Sequence, residues 1–318
     1  MLKTKVVNPV INKIVEIVDH AFSGALTAFS LLTVLGVLLT PCMAGAEWAE
    51  WIIDANVTGM HRDNINWAYG PGEKYRDYIL NPHFSVGRYY QLAENTRAAL
   101  TVNAQGEFYK VYPRLNCVTT GTSLSITQKL GYGARVPWLG LEGTIDYLDS
   151  SDDNRKSWLS TIAFSAGERF SERVDAVLRY AYSYRNGKDL PSAQPGASGK
   201  VFNMESHKVS VNVNTLITQK LLLSTGYAFR YGDINSTMDE DYIPFKKSHT
   251  EAVIIDNVYN DTDATFKLRA NVNEIFVNAG YALGDHSSIN LGYTWVNGHS
   301  YNWIYHENVL QASFMYSF

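Results

Sequence analysis

Apolar and polar residues alternate with a period of two through most of this 318-residue sequence. The clearest stretch, residues 174–185, reads V-D-A-V-L-R-Y-A-Y-S-Y-R and places its aromatic residues on one face and its arginines on the other. Successive side chains of a β-strand point to opposite sides of a sheet, so this period predicts strands with one apolar face. Such faces must be covered, either by a second layer of protein or by lipid.

The alternation predicts an all-β fold of about twelve antiparallel strands, within a range of ten to fourteen. No segment after residue 46 has eighteen consecutive apolar residues, so a membrane, if crossed, is crossed by strands. In hydrocarbon every backbone N–H and C=O needs a partner within the protein, and a closed transmembrane β-barrel is the sheet that supplies them all. The predicted strands are residues 51–59, 80–90, 98–108, 124–132, 139–147, 158–166, 174–185, 208–214, 221–231, 266–283, 289–295 and 304–318.

Two of these strands are less regular than the others. Pro82 interrupts residues 80–90, which are therefore predicted to form an irregular strand. The apolar parity of residues 266–283 changes near Asn273 and Glu274, and we interpret this change as a β-bulge or as the rim of the membrane.

The first 46 residues are predicted to be a signal peptide, which leaves residues 47–318 for the barrel. Lysines precede an uncharged apolar run at residues 25–39, and the A-G-A at residues 44–46 is a small-x-small cleavage site. The basic region is long for such a peptide. An uncleaved anchor, or a start codon placed too early, is therefore the alternative.

Cysteine usage and net charge exclude several functions. Beyond residue 46 the sequence has one cysteine, Cys117, so it has neither an internal disulfide nor a C-x-x-C metal or haem site, and we predict no cofactor and no metal. Pro41 directly before Cys42 makes a poor lipidation motif. The formal net charge of −4 argues against nucleic acid as a partner.

The last strand carries the most specific signal. Residues 310–318, L-Q-A-S-F-M-Y-S-F, place apolar or aromatic side chains at alternate positions up to the final residue. This stretch resembles the C-terminal β-signal of Gram-negative outer-membrane β-barrels. The resemblance implies an outer-membrane location, contact with lipid and lipopolysaccharide, recognition by the barrel assembly machinery, and closure of the barrel against residues 51–59. The signal residues are then Leu310, Phe314, Tyr316 and Phe318.

The predicted connections alternate between short and long. Such barrels have short periplasmic turns and longer external loops, so both chain termini are expected in the periplasm. The short connections lie near residues 91–95, 134–137, 169–171, 218–220 and 284–287. The long connections lie near residues 68–78, 111–120, 150–156, 186–202 and 233–263.

The polar parity of the strands carries charged side chains that would line a lumen. Rows of opposite charge would create a transverse field that orients polar solutes. The alternative is that these charges pair across a filled interior, because twelve strands lie between the eight that side chains fill and the sixteen that leave an open pore. The basic candidates are Arg97, Lys129, Arg179, Arg185, Lys208, Arg230, Lys267 and Arg269. The acidic candidates are Asp54, Glu107, Glu142, Asp146 and Asp175.

Two further groups of residues are candidate sites, one for hydrolysis and one for calcium binding. His83 and Ser85 share a strand face, as a base and a nucleophile would, but no third carboxylate is identifiable, and lumen-lining polar residues are the preferred interpretation. The acidic residues of the longest loop, residues 233–263, could bind Ca²⁺ but lack a defined calcium-loop spacing, which favours a solvated loop. Its apolar residues, Ile243, Phe245 and 253–255, indicate that it folds over or into the barrel mouth.

These observations lead to one main hypothesis, a porin-like channel for small polar or charged solutes. The alternatives are a closed structural or surface-interaction barrel that acts through its external loops, and a lipid hydrolase that uses His83 and Ser85. The solute and the oligomeric state stay open.

Deletion of Phe318 should block assembly before it affects function, because an unrecognised last strand leaves an open sheet edge that cannot sit in lipid. The measurement is the amount of folded, heat-modifiable protein in outer-membrane fractions. Phe318→Tyr keeps the terminal aromatic ring and should assemble normally. Normal amounts of the deletion variant would contradict the assignment of Phe318 as an assembly signal.

Overall fold

A computed structural model describes residues 48–70, 72–242 and 250–317. The predicted signal peptide and Phe318 lie outside these residues. Among the described residues no helix is long and apolar enough to cross a membrane. The strands are β1 (Trp48–Arg62), β2 (Asp77–Ala93), β3 (Thr96–Tyr109), β4 (Cys117–Lys129), β5 (Trp138–Ser150), β6 (Ser157–Arg169), β7 (Val174–Gly187), β8 (Met204–Leu216), β9 (Leu221–Asp239), β10 (Ala252–Ile255), β11 (Asp263–Ala282), β12 (Ser287–Ser300) and β13 (Trp303–Ser317).

Twelve of these strands form a closed antiparallel ring. Each pairs with the next along the chain, except that β9 pairs directly with β11 and leaves β10 outside the ring. The ring closes where β13 pairs with β1, in a register that runs from Asp54 opposite Ser317 to Arg62 opposite Val309. The predicted all-β barrel of about twelve strands is confirmed.

The outer surface of the ring is apolar. Residues that face each other across two strands share a side of the sheet, and Leu100 lies opposite the exposed Leu124. Phe164 and Leu291 are also outward, with 53% and 61% of their surface exposed. Large exposed apolar side chains on this parity are what a surface in contact with lipid requires.

Strand β2 is more regular than its proline predicted. It runs without a break from Asp77 to Ala93 and keeps one register along β1 from Trp51 to Arg62, where Pro82 lies opposite Val57. The register shifts between Trp48 and Trp51. The pairing with β3 is interrupted between Leu80 and His83 and shifts its register between Gln91 and Ala93. Proline lacks an N–H, so it removes a rung from one ladder and leaves the other intact. The strand is therefore continuous, and the irregularity predicted at Pro82 is confined to its pairing with β3.

The connections define two ends of the barrel. At the short-turn end, residues 94–95, 130–137, 170–173, 217–220 and 283–286 join the strands. At the long-loop end the connections are residues 63–76, 110–116, 151–156, 188–203 and 240–262, together with the two-residue turn 301–302. The alternation of lengths follows the prediction apart from this last short turn and from residues 130–137, a connection longer than residues 110–116 and 151–156.

Strands β9 and β11 reach further into the long-loop end than predicted. Their pairing runs from Asp263 opposite Asp239 to Tyr281 opposite Leu221 without a shift in register. The register excludes a bulge near Asn273, and the other interpretation, the rim of the membrane, stays a prediction. Because the alternation continues unbroken along β11, Phe266 points to the inner side of the sheet and Ile275 to the outer side.

The inner side of this extension forms a hydrophobic cluster, here called the loop-end core. Phe266 and Leu268 have no exposed surface, and Val253 of β10 lies directly opposite Phe266. The other buried members are Ala68, Ile234, Met238, Ala264, Ala270, Val272, Val296, Trp303 and Tyr305. The prediction that residues 253–255 fold over the mouth agrees with the burial of Val253 and Ile254, whereas Ile243 and Phe245 lie outside the described residues.

Replacing Phe266 by Ala should loosen the loop-end core, because removing a fully buried ring leaves a cavity that costs about 3–5 kcal/mol. Hydrogen exchange of peptides covering residues 252–255 and 264–270 measures the opening of this region. We expect exchange at least about a hundredfold faster than in the wild-type protein.

The matched control is Phe164→Ala, since Phe164 faces outward and lipid can fill the space that its ring leaves. That variant should leave exchange at residues 264–270 unchanged. Equal exchange in the wild-type protein and the Phe266→Ala variant would refute the assignment of Phe266 to a core.

Candidate solute site in the barrel interior

Ion pairs span the inner face of the barrel. Arg179 Nη1 lies 2.9 Å from Glu142 Oε2, and Lys208 Nζ lies 2.6 Å from Glu274 Oε2. Each pair reaches across the strand between its partners, where a buried alanine lies opposite the acid: Ala163 opposite Glu142, and Ala228 opposite Glu274. The small methyl groups leave room for the longer side chains to meet over them.

The other predicted inner carboxylates also have neighbours in the wall. Glu107 accepts a hydrogen bond from the Tyr109 hydroxyl, and Asp175 accepts one from Asn214 Nδ2. Asp146 packs over Gly121 of β4, where an added Cβ would lie only 2.0 Å from Asp146 Oδ1. Asp54 accepts a hydrogen bond from the Ser317 hydroxyl, across the seam that closes the ring.

Arg97 and Lys129 lie at the short-turn end. Arg97 donates to Gln91 Oε1 at 3.0 Å, and Lys129 is the last residue of β4. Both are on the polar parity and line a small surface pocket beside the turn at residues 130–137. They therefore lie at the opposite end of the barrel from Arg185 and Arg230.

Lys267 and Arg269 do not lie on the inner face as predicted. The unbroken register of β11 gives them the parity of the outward Ile275. Arg269 Nη2 lies 2.7 Å from Glu205 Oε1, and Lys267 Nζ lies 3.2 Å from Asp233 Oδ2. The prediction was wrong because the apolar residues that alternate with these two cations face a protein core instead of lipid.

A cavity of about 240 Å³ lies at the long-loop end of the interior and is lined by four arginines. We call it the arginine pocket. Arg62 comes from the end of β1, Arg155 from the β5–β6 loop, Arg185 from β7 and Arg230 from β9. The remaining lining residues are Ile65, Asn66, Trp67, Met204, Ile234, Asn235, Thr237 and Tyr259.

Two of these arginines are neutralised by carboxylates. Arg62 makes a bidentate pair with Glu307, with N–O distances of 2.7 and 2.9 Å. Arg155 Nη2 lies 2.5 Å from Asp256 Oδ2, and its Nε lies 3.4 Å from Asp152. Glu307 is a member of β13, so the Arg62 pair also joins the two strands at the closing seam.

The other two arginines have only neutral partners among the described residues. Arg185 donates from Nε to the Ser157 hydroxyl at 2.8 Å and from Nη2 to the backbone oxygen of Arg155 at 2.7 Å. Arg230 donates from Nη1 to the backbone oxygen of Asp233 at 3.1 Å. The arginine pocket therefore carries two guanidinium charges that no protein carboxylate contacts.

Aromatic side chains complete the pocket. Trp67 has a φ of 52°, which is a strained conformation for a bulky residue, and its ring centroid lies 5.7 Å from the Arg230 guanidinium. A hydrogen bond from the Ser236 hydroxyl to the Trp67 backbone oxygen holds this conformation. Strain of this kind persists where the surroundings impose it, and it is frequent at functional sites.

Tyr259 joins the pocket to the outer loops. Its ring stacks on Tyr75 with centroids 5.1 Å apart and meets Tyr112 edge-on at 5.2 Å, so residues from three loops meet at this point. Burial, followed by the neighbouring Asp263 carboxylate, raises the pKa of Tyr75 to about 12. The Tyr75 hydroxyl therefore keeps its proton at physiological pH.

The hydrolase and calcium interpretations gain no support from this geometry. His83 lies opposite Asn56 and Ser85 opposite Asp54, both on the inner parity, and no hydrogen bond joins His83 to Ser85 in the described part of the chain. Within the same residues, no three His, Cys, Asp or Glu side chains cluster closely enough to hold a metal ion.

The C-terminal residues lie on the outer face of the closing strand. Leu310, Phe314 and Tyr316 are exposed and lie opposite His61, Val57 and Ala55 of β1. Recognition of these residues and of Phe318 by an assembly machinery stays a prediction.

Two of the four pocket arginines were missed from the sequence. Arg62 continues the polar parity of Asp54 beyond the predicted end of β1 at residue 59, so a longer strand would have placed it inside. Arg155 belongs to a loop, where no periodicity indicates the direction of a side chain.

The closed ring, its apolar outside and its charged inside define the fold of an outer-membrane β-barrel. No family model matches the chain, and no curated protein matches its sequence. Among solved structures, an outer-membrane channel from Pseudomonas putida F1 is similar over 88% of this chain and 100% of its own, with 9% identity and a TM-score of 0.53. This likeness shows a shared fold.

Two other solved structures are more distant. The match to the NanC porin covers 82% of this chain and 98% of the porin chain, with 10% identity and a TM-score of 0.45. The β domain of the Bordetella autotransporter BrkA covers 84% and 99%, with 10% identity and a TM-score of 0.42.

Replacing Glu307 by Gln should destabilise the barrel by about 3 kcal/mol. The Glu307 side chain is only 4% exposed, and its replacement leaves the Arg62 guanidinium without a carboxylate partner. The measurement is reversible urea unfolding of the refolded protein in phospholipid vesicles. Glu142→Gln is the control, since the Glu142 side chain is 34% exposed and its pair with Arg179 should contribute less than about 1 kcal/mol. Equal losses in the two variants would contradict the special role of the Glu307 pair.

Proposed function

We propose that this protein is an outer-membrane channel for small polar or charged solutes. The observation that carries the proposal is the contrast between the two faces of the ring. The outside presents large apolar side chains, whereas the inside carries charged residues such as Arg179, Glu142, Lys208 and Glu274. Charged side chains along an inner wall suit an aqueous interior through which polar or charged solutes pass.

The size of the ring supports the same proposal. Eight strands enclose a space that side chains fill, and sixteen or more leave a wide pore, so twelve strands suit a narrow aqueous path. The pairs Arg179–Glu142 and Lys208–Glu274 place basic and acidic groups beside each other along the wall. Their field would orient polar solutes as they pass.

Location and orientation are part of the proposal. The Pseudomonas protein is described as an outer-membrane channel, and the shared barrel supports the same membrane for this chain. The long-loop end faces outwards, where it meets lipopolysaccharide, and the short-turn end and both termini face the periplasm. Residues 1–46 direct export, and the barrel assembly machinery inserts residues 47–318.

A second candidate is a closed barrel that interacts with partners through its outer loops. The observation that favours it is the loop-end core, in which Val253 of the longest loop lies opposite Phe266 and belongs to the same buried cluster as Tyr305 of β13. A mouth covered in this way narrows any path. The loops would then be the working surface.

Planar-bilayer recordings of the refolded protein should show discrete unitary currents. A barrel variant in which residues 241–261 are replaced by a short Gly-Ser turn should conduct more, because it lacks β10 and the loop that covers the mouth. These bounds keep β9 and β11 intact, since residues 233–239 and 263 belong to strands.

Three outcomes separate the candidates. Currents in both proteins, larger in the variant, support the channel. Currents in the variant alone favour a closed barrel that acts through its loops. Silence in both proteins, with folding verified by heat-modifiable mobility, rejects the channel.

A further inference from the structure

We propose that a groove on the outer surface of the barrel holds one molecule of lipopolysaccharide by its phosphorylated lipid A part. The proposal rests on the outer-membrane location and the orientation of the proposed function, and it does not depend on conduction. It assigns a particular lipid to one part of the outer surface, whereas the rest of that surface needs only hydrocarbon around it.

The outer groove crosses six neighbouring strands, β3, β2, β1, β13, β12 and β11, and has a volume of about 880 Å³. Two rows of outward side chains, each row paired across these strands, line most of it. The row nearer the long-loop end is Tyr78, His61, Leu310, Tyr293 and Val277, and the other row is Leu80, Gly59, Ala312, Leu291 and Ala279. The groove is therefore largely apolar.

The outer groove runs obliquely from the long-loop end towards the short-turn end. Lys110 directly follows β3 at the long-loop end, whereas Ala279 lies close to Ala282, the short-turn end of β11. Barrel strands are tilted by about 35–45°, so a row across them descends through the membrane. Five strand spacings of about 4.8 Å give a length of roughly 24 Å. The hydrocarbon core is about 30 Å thick, so an acyl chain of one leaflet fits along the groove.

The floor of the outer groove leaves space for such a chain. Gly59 and Ala312 lie side by side on β1 and β13, and an added Cβ at Gly59 would meet no atom within 4 Å. Leu80 and Leu291, which are 51% and 61% exposed, stand on either side of them. A chain that lies between these side chains gains dispersion contacts on several sides, which a flat wall does not offer.

Cations lie at the long-loop end of the outer groove. Lys110 lines the groove, is exposed, and places its Nζ 5.7 Å from the centroid of the Tyr78 ring. Lys74 Nζ donates to the backbone oxygen of His306 at 3.0 Å. No carboxylate of the described chain lies within ion-pairing distance of either ammonium group. An anionic headgroup above an apolar chain complements this arrangement.

The nearest acids of this rim are occupied by other partners. Asp63 accepts hydrogen bonds from the backbone N–H and from Nδ2 of Asn308, at 2.7 and 2.6 Å. Asp77 is buried and accepts hydrogen bonds from the backbone N–H groups of residues 110–112. Asp77 therefore fixes the backbone of Lys110 before any lipid arrives, so less binding energy is lost to its ordering.

His61 is a polar side chain inside the outer groove. Its ring lies 4.8 Å from the Tyr78 ring, and its imidazole makes no hydrogen bond with another described residue. A polar group without a partner is costly in hydrocarbon. His61 lies two strands from Lys110, or roughly 10 Å. At that distance from a phosphate, an ester or hydroxyl oxygen at the start of an acyl chain can accept the hydrogen bond.

The spacing of the two lysines selects lipid A among anionic lipids. Lys110 follows β3, and Lys74 contacts β13, which lies three strands further around the ring, or roughly 14 Å. Lipid A is a disaccharide with a phosphate at each end, so one molecule can reach both cations. A glycerophospholipid such as phosphatidylglycerol has a single phosphate. In the proposed orientation, this rim also lies in the leaflet that contains lipopolysaccharide.

The test is native mass spectrometry of the refolded protein in detergent, titrated with hexa-acylated lipid A that carries both phosphates. The same lipid A without its phosphates, and dioleoylphosphatidylglycerol, are titrated in parallel. The wild-type protein should retain one lipid A molecule and bind it at least tenfold more tightly than either of the other lipids.

Two variants, each with a matched control, locate the site. Lys110→Gln and Gly59→Leu should each lose at least fivefold in lipid A affinity, because the first removes the cation and the second fills the floor. Lys188→Gln removes an exposed cation that follows β7, and Gly143→Leu adds the same side chain at an outward glycine of β5 where an added Cβ also meets no atom within 4 Å. Both controls should bind lipid A within twofold of the wild-type protein.

Absence of lipid A retention by the wild-type protein overturns the proposal, and so does equal affinity in the two variants and their controls. Equal binding of phosphatidylglycerol or of dephosphorylated lipid A also overturns it, and these two arms need no variant to fold. Unitary currents without lipid A retention reject the site and leave the channel standing. Retention that depends on Lys110 and Gly59, in a protein that carries no current, supports the site and rejects the channel.

Discussion

The backbone hydrogen bonds between β13 and β1 are the contact on which the rest of the barrel depends. Without them both strands would present rows of unpaired N–H and C=O groups to hydrocarbon, where no water can satisfy them. The Arg62–Glu307 pair lies on the same seam and adds a side-chain link between its two strands. The pairing of β13 with β1 thus closes the sheet and also positions Arg62, which lines the arginine pocket.

Much of the barrel could be predicted because, within the membrane, the apolar face of an alternating strand must face lipid. Leu124, Phe164 and Leu291 face outwards, since within the membrane apolar residues belong on the lipid side. At the long-loop end of β11 the apolar side chains face inwards instead. Phe266 and Leu268 alternate in the same way but face a protein core, and a local pattern cannot show where lipid ends. The error on Lys267 and Arg269 follows from that reversal.

The pocket was predictable only in part. Arg185 and Arg230 are on the polar parity of clear strands, so their direction followed from the sequence. Their meeting with Arg155 depends on the β5–β6 loop and on Asp256, which lies 101 residues further along the chain. Contacts between loops so distant in sequence follow from the closure of the ring and the packing of its loops, neither of which leaves a local periodic signal.

Strand β10 also determines how the mouth can move. One edge of β10 pairs with residues 264–267 of β11, and its other edge exchanges backbone hydrogen bonds with Ser198 and Ala193 of the β7–β8 loop. A segment that is hydrogen-bonded along both edges cannot move on its own, because any displacement breaks several backbone hydrogen bonds together. Opening this part of the long-loop end would therefore require the β7–β8 loop, β10 and β11 to move together.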